Sequence, residues 1–201
     1  LCPMPTEAEH LQKRTQRGVL AGFTCYILWG AFPLYWKLLD DVSSWEVICQ
    51  RIIWCAVFSI IICLVGRWDF IALLKDRRAL RFLIPAAALI TVNWSVYIFA
   101  VHINRIVETS IGYYINPLVS VLLGLVIFKE RLTPLQWIAV ALCSIGILFF
   151  TTGYGRFPWI AIVLAVSFGA YGAIKKKGGY PAVEAIAVES TVMAPVAILG
   201  V

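Results

Sequence analysis

Apolar residues in this chain come in long continuous runs, broken by short polar or basic stretches. A helix that crosses the hydrocarbon core of a bilayer needs about 20 such residues, and the runs reach that length. They predict spans over residues 18–39, 45–65, 83–101, 107–128, 135–152 and 158–174, with a seventh starting near Pro181. Membrane β-strands would alternate apolar and polar positions, so continuous runs exclude a barrel. The predicted class is all-α, a polytopic membrane helix bundle. Residues 67–82 differ: Trp68, Phe70, Ile71, Leu74 and Phe82 are interleaved with basic residues. That pattern fits a short interfacial helix or a plain basic loop.

Composition supports the membrane assignment. The 201 residues are 61% hydrophobic and only 14% charged, with mean hydropathy +0.87. A soluble domain is about half apolar and about a quarter charged, so the surplus apolar surface must face lipid. Cys2, Cys25, Cys49, Cys55, Cys63 and Cys143 lie mostly inside apolar runs and form no C-x-x-C pair. They read as small core residues, not disulfides or metal ligands. Leu1 to Arg17 are polar and basic without a signal-peptide core, which predicts a cytoplasmic tail over residues 1–17. The chain opens on Leu1 and ends inside an apolar run, so a fragment with about seven of ten helices is expected.

The basic residues then orient the spans. Of the 17 Lys and Arg, thirteen fall in the tail and in the loops after the second, fourth and sixth spans. Only Lys37, Arg105 and Arg156 fall on the other side, and Arg51 lies inside the second span. Cytoplasmic loops carry the excess of Lys and Arg, so the N-terminus is expected inside. The formal charge of +6 therefore marks topology, and no nucleic-acid partner is expected.

An internal repeat is also visible. Trp29-Gly30-Ala31-Phe32 matches Phe168-Gly169-Ala170-Tyr171 at an offset of 139, and Glu46 through Arg51 matches Glu184 through Glu189 at 138. The spacing predicts a five-span repeat, the first over residues 18–153 and the second starting at 154–201. An odd number of spans inverts the second copy, a hallmark of secondary transporters with a site near the midplane.

Polar groups inside the bilayer are costly and mark candidate sites. In the fourth span, Tyr113, Tyr114 and Asn116 precede Pro117, which lacks an N–H and frees the carbonyl of Tyr113. That break predicts a polar binding surface or a structural kink. Asn93, Trp94 and Tyr97 cluster in the third span, with Asn93 and Tyr97 on one face. Asn93 either contacts substrate or bonds another helix. Trp29 is placed on the cavity, and Gly30 at a close helix approach. Arg51 either neutralises an anionic substrate or pairs with a carboxylate such as Glu46 or Glu108. Its repeat counterpart Glu189 is expected not to touch it. Glu108 and Glu189 are candidates for proton coupling, because low dielectric favours the protonated carboxyl. His102 reads as a solvated residue of the outer loop. No H-E-x-x-H, G-x-S-x-G or phosphate-binding glycine loop is present, so an enzyme is not expected, nor a cofactor or metal.

The runs Asn93-Trp94 through Tyr97-Ile98, Val107-Glu108-Thr109-Ser110-Ile111-Gly112-Tyr113-Tyr114-Ile115-Asn116-Pro117-Leu118, and Lys129-Glu130-Arg131-Leu132-Thr133-Pro134 resemble the RarD-type permeases. These form the chloramphenicol-sensitive protein family, within the EamA-like drug/metabolite transporter superfamily. The resemblance implies a bacterial inner-membrane protein of ten helices in two inverted repeats, both termini cytoplasmic. It implies a permease for a drug or metabolite. No ATP-binding domain is visible in the chain, so the expected driver of alternating access is a proton or other ion gradient, or the substrate's own gradient. The alternative is a regulatory or scaffold membrane protein of the same fold. The expected partners are a small-molecule substrate, the lipid bilayer and a coupling ion.

Overall fold

The computed structural model describes residues 7–39 and 41–201, so Cys2 and Asp40 lie outside the described residues. It holds α1 (Glu7–Lys37), α2 (Ser44–Gly66), α3 (Phe70–Lys75), α4 (Arg77–His102), α5 (Ile106–Ile127), α6 (Pro134–Tyr154), α7 (Trp159–Gly178) and α8 (Ala182–Leu199), with no strand among the described residues. Seven of these helices are long and apolar enough to cross a membrane. All seven expected spans are present. The first starts earlier than expected, because the helix extends back into the basic tail as far as Glu7.

The helix ends follow local chemistry. The hydroxyl of Ser43 accepts from the backbone N–H of Trp45 at the start of α2. Thr133 and Gln136 form a reciprocal capping box at α6, with Pro134 in the first turn. These groups satisfy backbone donors that hydrocarbon leaves stranded. At the far end of α7 the chain turns through Gly179 at φ 68°, a left-handed conformation natural to glycine.

The chain falls into two units, Leu1–Asp40 and Asp41–Val201. The first is α1. In the second unit α7 lies against both α4 and α5, while α8 lies against α2, α3 and α4. Helix α6 rests on α5 and buries none of its residues.

Two glycines set the α5–α7 contact from opposite sides. A Cβ at Gly112 of α5 would lie 3.1 Å from the carbonyl oxygen of Ala161, and one at Gly169 of α7 would lie 2.8 Å from Cγ1 of Val119. Small residues let membrane helices approach closely, and dispersion replaces the missing hydrophobic drive. Helix α4 is tied to α7 by Asn93, whose amide donates to the Leu164 carbonyl and the Ser167 hydroxyl, both at 2.9 Å. Helices α2 and α8 run antiparallel. The hydroxyls of Ser59 and Ser190 meet at 3.1 Å, and the Trp45 indole N–H donates to the Gly200 carbonyl at 2.7 Å. Interhelical bonds of this kind contribute about 0.6 kcal/mol each.

The basic stretch 67–82 is helical, but it is not a free surface helix. It breaks at Asp76, whose carboxylate caps α4 through the N–H of Arg78 at 2.8 Å. Phe70 inserts among Cys63, Ala79, Leu83 and Val188, so α3 is anchored by the protein interior. Helix α4 therefore starts at Arg77, six residues before the expected span. His102 is the half-buried last residue of α4, not a loop residue.

Gly169→Leu should destabilise the full-length protein by about 1–3 kcal/mol through overpacking against Val119. Adding Val119→Ala should recover at least half of the lost melting temperature in detergent. Equal melting of wild type and Gly169→Leu would refute the tight α5–α7 contact.

Candidate functional site

Helices α2, α4, α7 and α8 surround a cavity of about 280 Å³, lined by Arg51, Ile52, Trp94, Tyr171, Glu189 and Met193 among others. Small-molecule sites usually measure about 300–1,000 Å³, so the cavity is at the lower end of that scale. Its walls are mainly isoleucine and aromatic carbon, with charged groups at separate levels.

The levels follow from helix register. Ser59 and Ser190 face each other across α2 and α8. Arg51 lies eight residues before Ser59, while Glu189 is adjacent to Ser190. At 1.5 Å per residue the Arg51 level is about 12 Å from the Glu189 level. The two residues line one cavity without pairing.

At one level, Cζ of Arg51 lies 3.5 Å over the Trp94 ring centroid. Guanidinium planes stack on indole because the ring face is negative and the guanidinium is weakly hydrated. No carboxylate among the described residues lies within ion-pairing distance of it. The expected pairing with Glu46 or Glu108 is therefore not made. Trp94 in turn meets Tyr97 edge-on at 5.6 Å, and Tyr97 meets Tyr113 edge-on at 6.1 Å. This aromatic chain holds the Trp94 plane beneath the guanidinium.

At the other level, the buried Glu189 is held by two donors. Lys175 Nζ donates to Oε1 at 2.7 Å and the Tyr171 hydroxyl donates to Oε2 at 3.1 Å. Sequence reasoning missed both partners. By position alone Lys175 belongs to the loop charges that set topology, yet it sits in the last turn of α7 and reaches Glu189 of α8. Its position fourteen residues from Glu189, across a glycine turn, is the signal that places it near that carboxylate.

The remaining candidates divide. Asn93 is buried and its amide is used on α7, so of its two expected roles it makes the helix bond. Asn116 does not line the cavity. It accepts a long 3.5 Å bond from the Ser120 hydroxyl. Helix α5 continues through Pro117 from Ile106 to Ile127. Tyr113 touches the aromatic chain, whereas Tyr114 lines a separate apolar groove with Cys143, Gly146 and Phe150. Trp29 lies in the first unit, stacked on Tyr26 at 6.5 Å.

Glu108 is fully buried in the first turn of α5. It accepts from the Tyr154 hydroxyl at 2.9 Å and pairs with Arg105 at 3.3 Å. Its Oε2 has no hydrogen-bond partner among the described residues. It forms a latch between α5 and the end of α6, apart from the cavity.

Residues 16–152 match the EamA-like transporter family. The chain is 41% identical over 184 residues to Protein RarD of Streptomyces exfoliatus, covering 90% of this chain and 58% of that protein. It is 40% identical over 189 residues to Uncharacterized transporter YojE of Bacillus subtilis, covering 92% and 63%. It is 36% identical over 187 residues to Protein RarD of Escherichia coli, again covering 92% and 63%. The chain thus spans roughly three-fifths of the length of these relatives. No solved structure matches it. With its seven membrane-length helices and this match over most of its length, the chain is a multi-pass membrane protein that belongs to the EamA-like transporter family.

Proposed function

We propose that the full-length protein is a permease that moves a drug or small metabolite across the bacterial cytoplasmic membrane by alternating access, driven by an ion gradient. The observation that carries this reading is the cavity at membrane depth with Arg51 and Glu189 on its wall. Ionisable groups are expensive inside a bilayer, and they mark substrate and ion pathways. A purely structural role would leave no space beside such groups.

Glu189 is the preferred coupling residue. As a carboxylate it holds Lys175 of α7 and Tyr171 of α7 against α8. Protonation removes the charge that attracts Lys175, so the α7–α8 contact loosens as the proton arrives. Proton binding thereby biases one arrangement of these two helices over the other, which is the requirement for coupling. Glu108 is the second coupling candidate, through its latch with Arg105 and Tyr154. Substrate is read as resting on Trp94 and Arg51, with Tyr97 and Tyr113 behind them. Asn116, Tyr114 and Trp29 are retained as substrate contacts that a second conformation or the rest of the protein brings in.

Sealed vesicles of the full-length protein, given a panel of labelled amphenicols and amino acids, test this reading. Accumulation of at least one compound should rise several-fold with a pH gradient. Glu189→Gln should reduce the gradient-driven part at least tenfold while the protein remains folded and inserted. Tight, correctly inserted vesicles that accumulate nothing under any gradient would overturn the permease reading.

The inside location of the N-terminus is testable separately. In a cysteine-free background, Asp41→Cys should react with a membrane-impermeant maleimide in intact cells, and Arg77→Cys should react only after lysis. The reverse pattern would invert the proposed topology.

A further inference from the structure

The charges around the cavity do not cancel. Arg51 and Lys175 are cations and Glu189 is an anion. Lys175 and Tyr171 occupy both oxygens of Glu189, and the helix register puts Arg51 about 12 Å from that cluster. The guanidinium stays charged at any physiological pH. It sits seven residues into α2, about 10 Å along the helix, with an indole on one face and no carboxylate in reach among the described residues. A cation stacked on an aromatic face is partly compensated, but its N–H edges still call for an acceptor.

We propose that this cavity takes an organic monoanion, a single oxyanion group on a flat apolar body, with the oxyanion on the edge of Arg51. This rests on the permease reading and names the substrate class of the same site. Three features select that class. Stacking on Trp94 uses the face of the guanidinium and leaves its N–H edges for two parallel bonds, the geometry that suits a planar oxyanion. The space between Arg51 and Glu189 is walled by Ile52, Ile90, Ile186 and Met193, which suits an apolar body and offers little to a second charge. Glu189 is already satisfied by Lys175 and Tyr171, so the cavity has no spare anion for a cationic ligand. A neutral ligand would leave the Arg51 charge without a counterion. A monoanion brings the sum around the cavity to zero.

The test uses three probes of one shape: naphthalene-2-carboxylate, its neutral carboxamide, and the cationic naphthalen-2-ylmethanamine. Each is titrated at pH 7 into the full-length protein in nanodiscs of zwitterionic phosphatidylcholine, read by calorimetry and by quenching of tryptophan fluorescence. The carboxylate should bind at least tenfold more tightly than the carboxamide, and the amine more weakly still. Arg51→Gln should bring the carboxylate-to-carboxamide ratio to within threefold of one, whereas Arg51→Lys should keep a preference for the carboxylate. If Arg51→Gln does not fold, the wild-type ranking and Arg51→Lys decide.

Equal binding of carboxylate and carboxamide, a preference for the amine, absence of carboxylate binding, or a ratio unchanged in Arg51→Gln would each overturn the proposal. Loss of carboxylate binding on adding phosphatidylglycerol would identify a lipid phosphate as the occupant and overturn it too. The two readings fail differently. Selective anion binding without flux in vesicles sinks the permease and leaves the monoanion site. Flux of neutral or cationic compounds that is indifferent to Arg51 leaves the permease and sinks the monoanion site.

Discussion

A polar group inside hydrocarbon must find its partner within the protein, and the second unit is organised around that requirement. The Asn93 amide spends both its N–H groups on α7, one on the Leu164 carbonyl and one on Ser167. Ser59 meets Ser190 between α2 and α8. Glu189 gathers Lys175 and Tyr171. The first two contacts join helices far apart in sequence and the third joins consecutive ones, so satisfying the polar groups also fixes which helices are neighbours. The apolar runs that send the helices into the membrane carry no such information, because lipid tails are as apolar as leucine.

Close packing completes what the polar contacts begin. Gly112 and Gly169 bring α5 and α7 together, and α7 occupies the position between α4 and α5. With α7 seated there, its last turn lies alongside α8 and Lys175 reaches Glu189. The same arrangement leaves the space between α2, α4, α7 and α8 unfilled. Arg51 stands at one level of that space on the face of Trp94. The charged groups Arg51 and Glu189 stand on α2 and α8, which pack directly against each other, and α4 and the end of α7 complete the wall of the cavity.

The candidate site was partly legible in the chain. Arg51 and Glu189 stand out because a charge within an apolar run is expensive, and that cost is visible without coordinates. The aromatic group Trp94, Tyr97 and Tyr113 was also legible, since all three sit in spans near polar residues. The Asn116-Pro117 pair points elsewhere. A proline removes a backbone donor wherever it sits, but whether the polar groups beside it line a cavity depends on the neighbouring helices, and Asn116 is not among the residues lining the cavity. Lys175 and Tyr171 were hidden for a related reason. A lysine at the end of a span serves topology by its location alone, and only the placement of α8 within side-chain reach of the last turn of α7 brings Glu189 to it.

The sequence by itself determined the class, the number of membrane helices and the alternation of charge across the spans. These depend on run length and composition, which are local properties of the chain. It also determined the family, through motifs in α4, α5 and the start of α6. The tertiary structure alone decided that Asn93 ties α4 to α7, that Phe70 anchors α3, and that Glu108 is buried against Tyr154. It alone decided that Arg51 faces an indole with no carboxylate in reach among the described residues. Those outcomes depend on which helix lies beside which, and in an apolar medium that choice is made by a few polar bonds and close glycine contacts between distant segments.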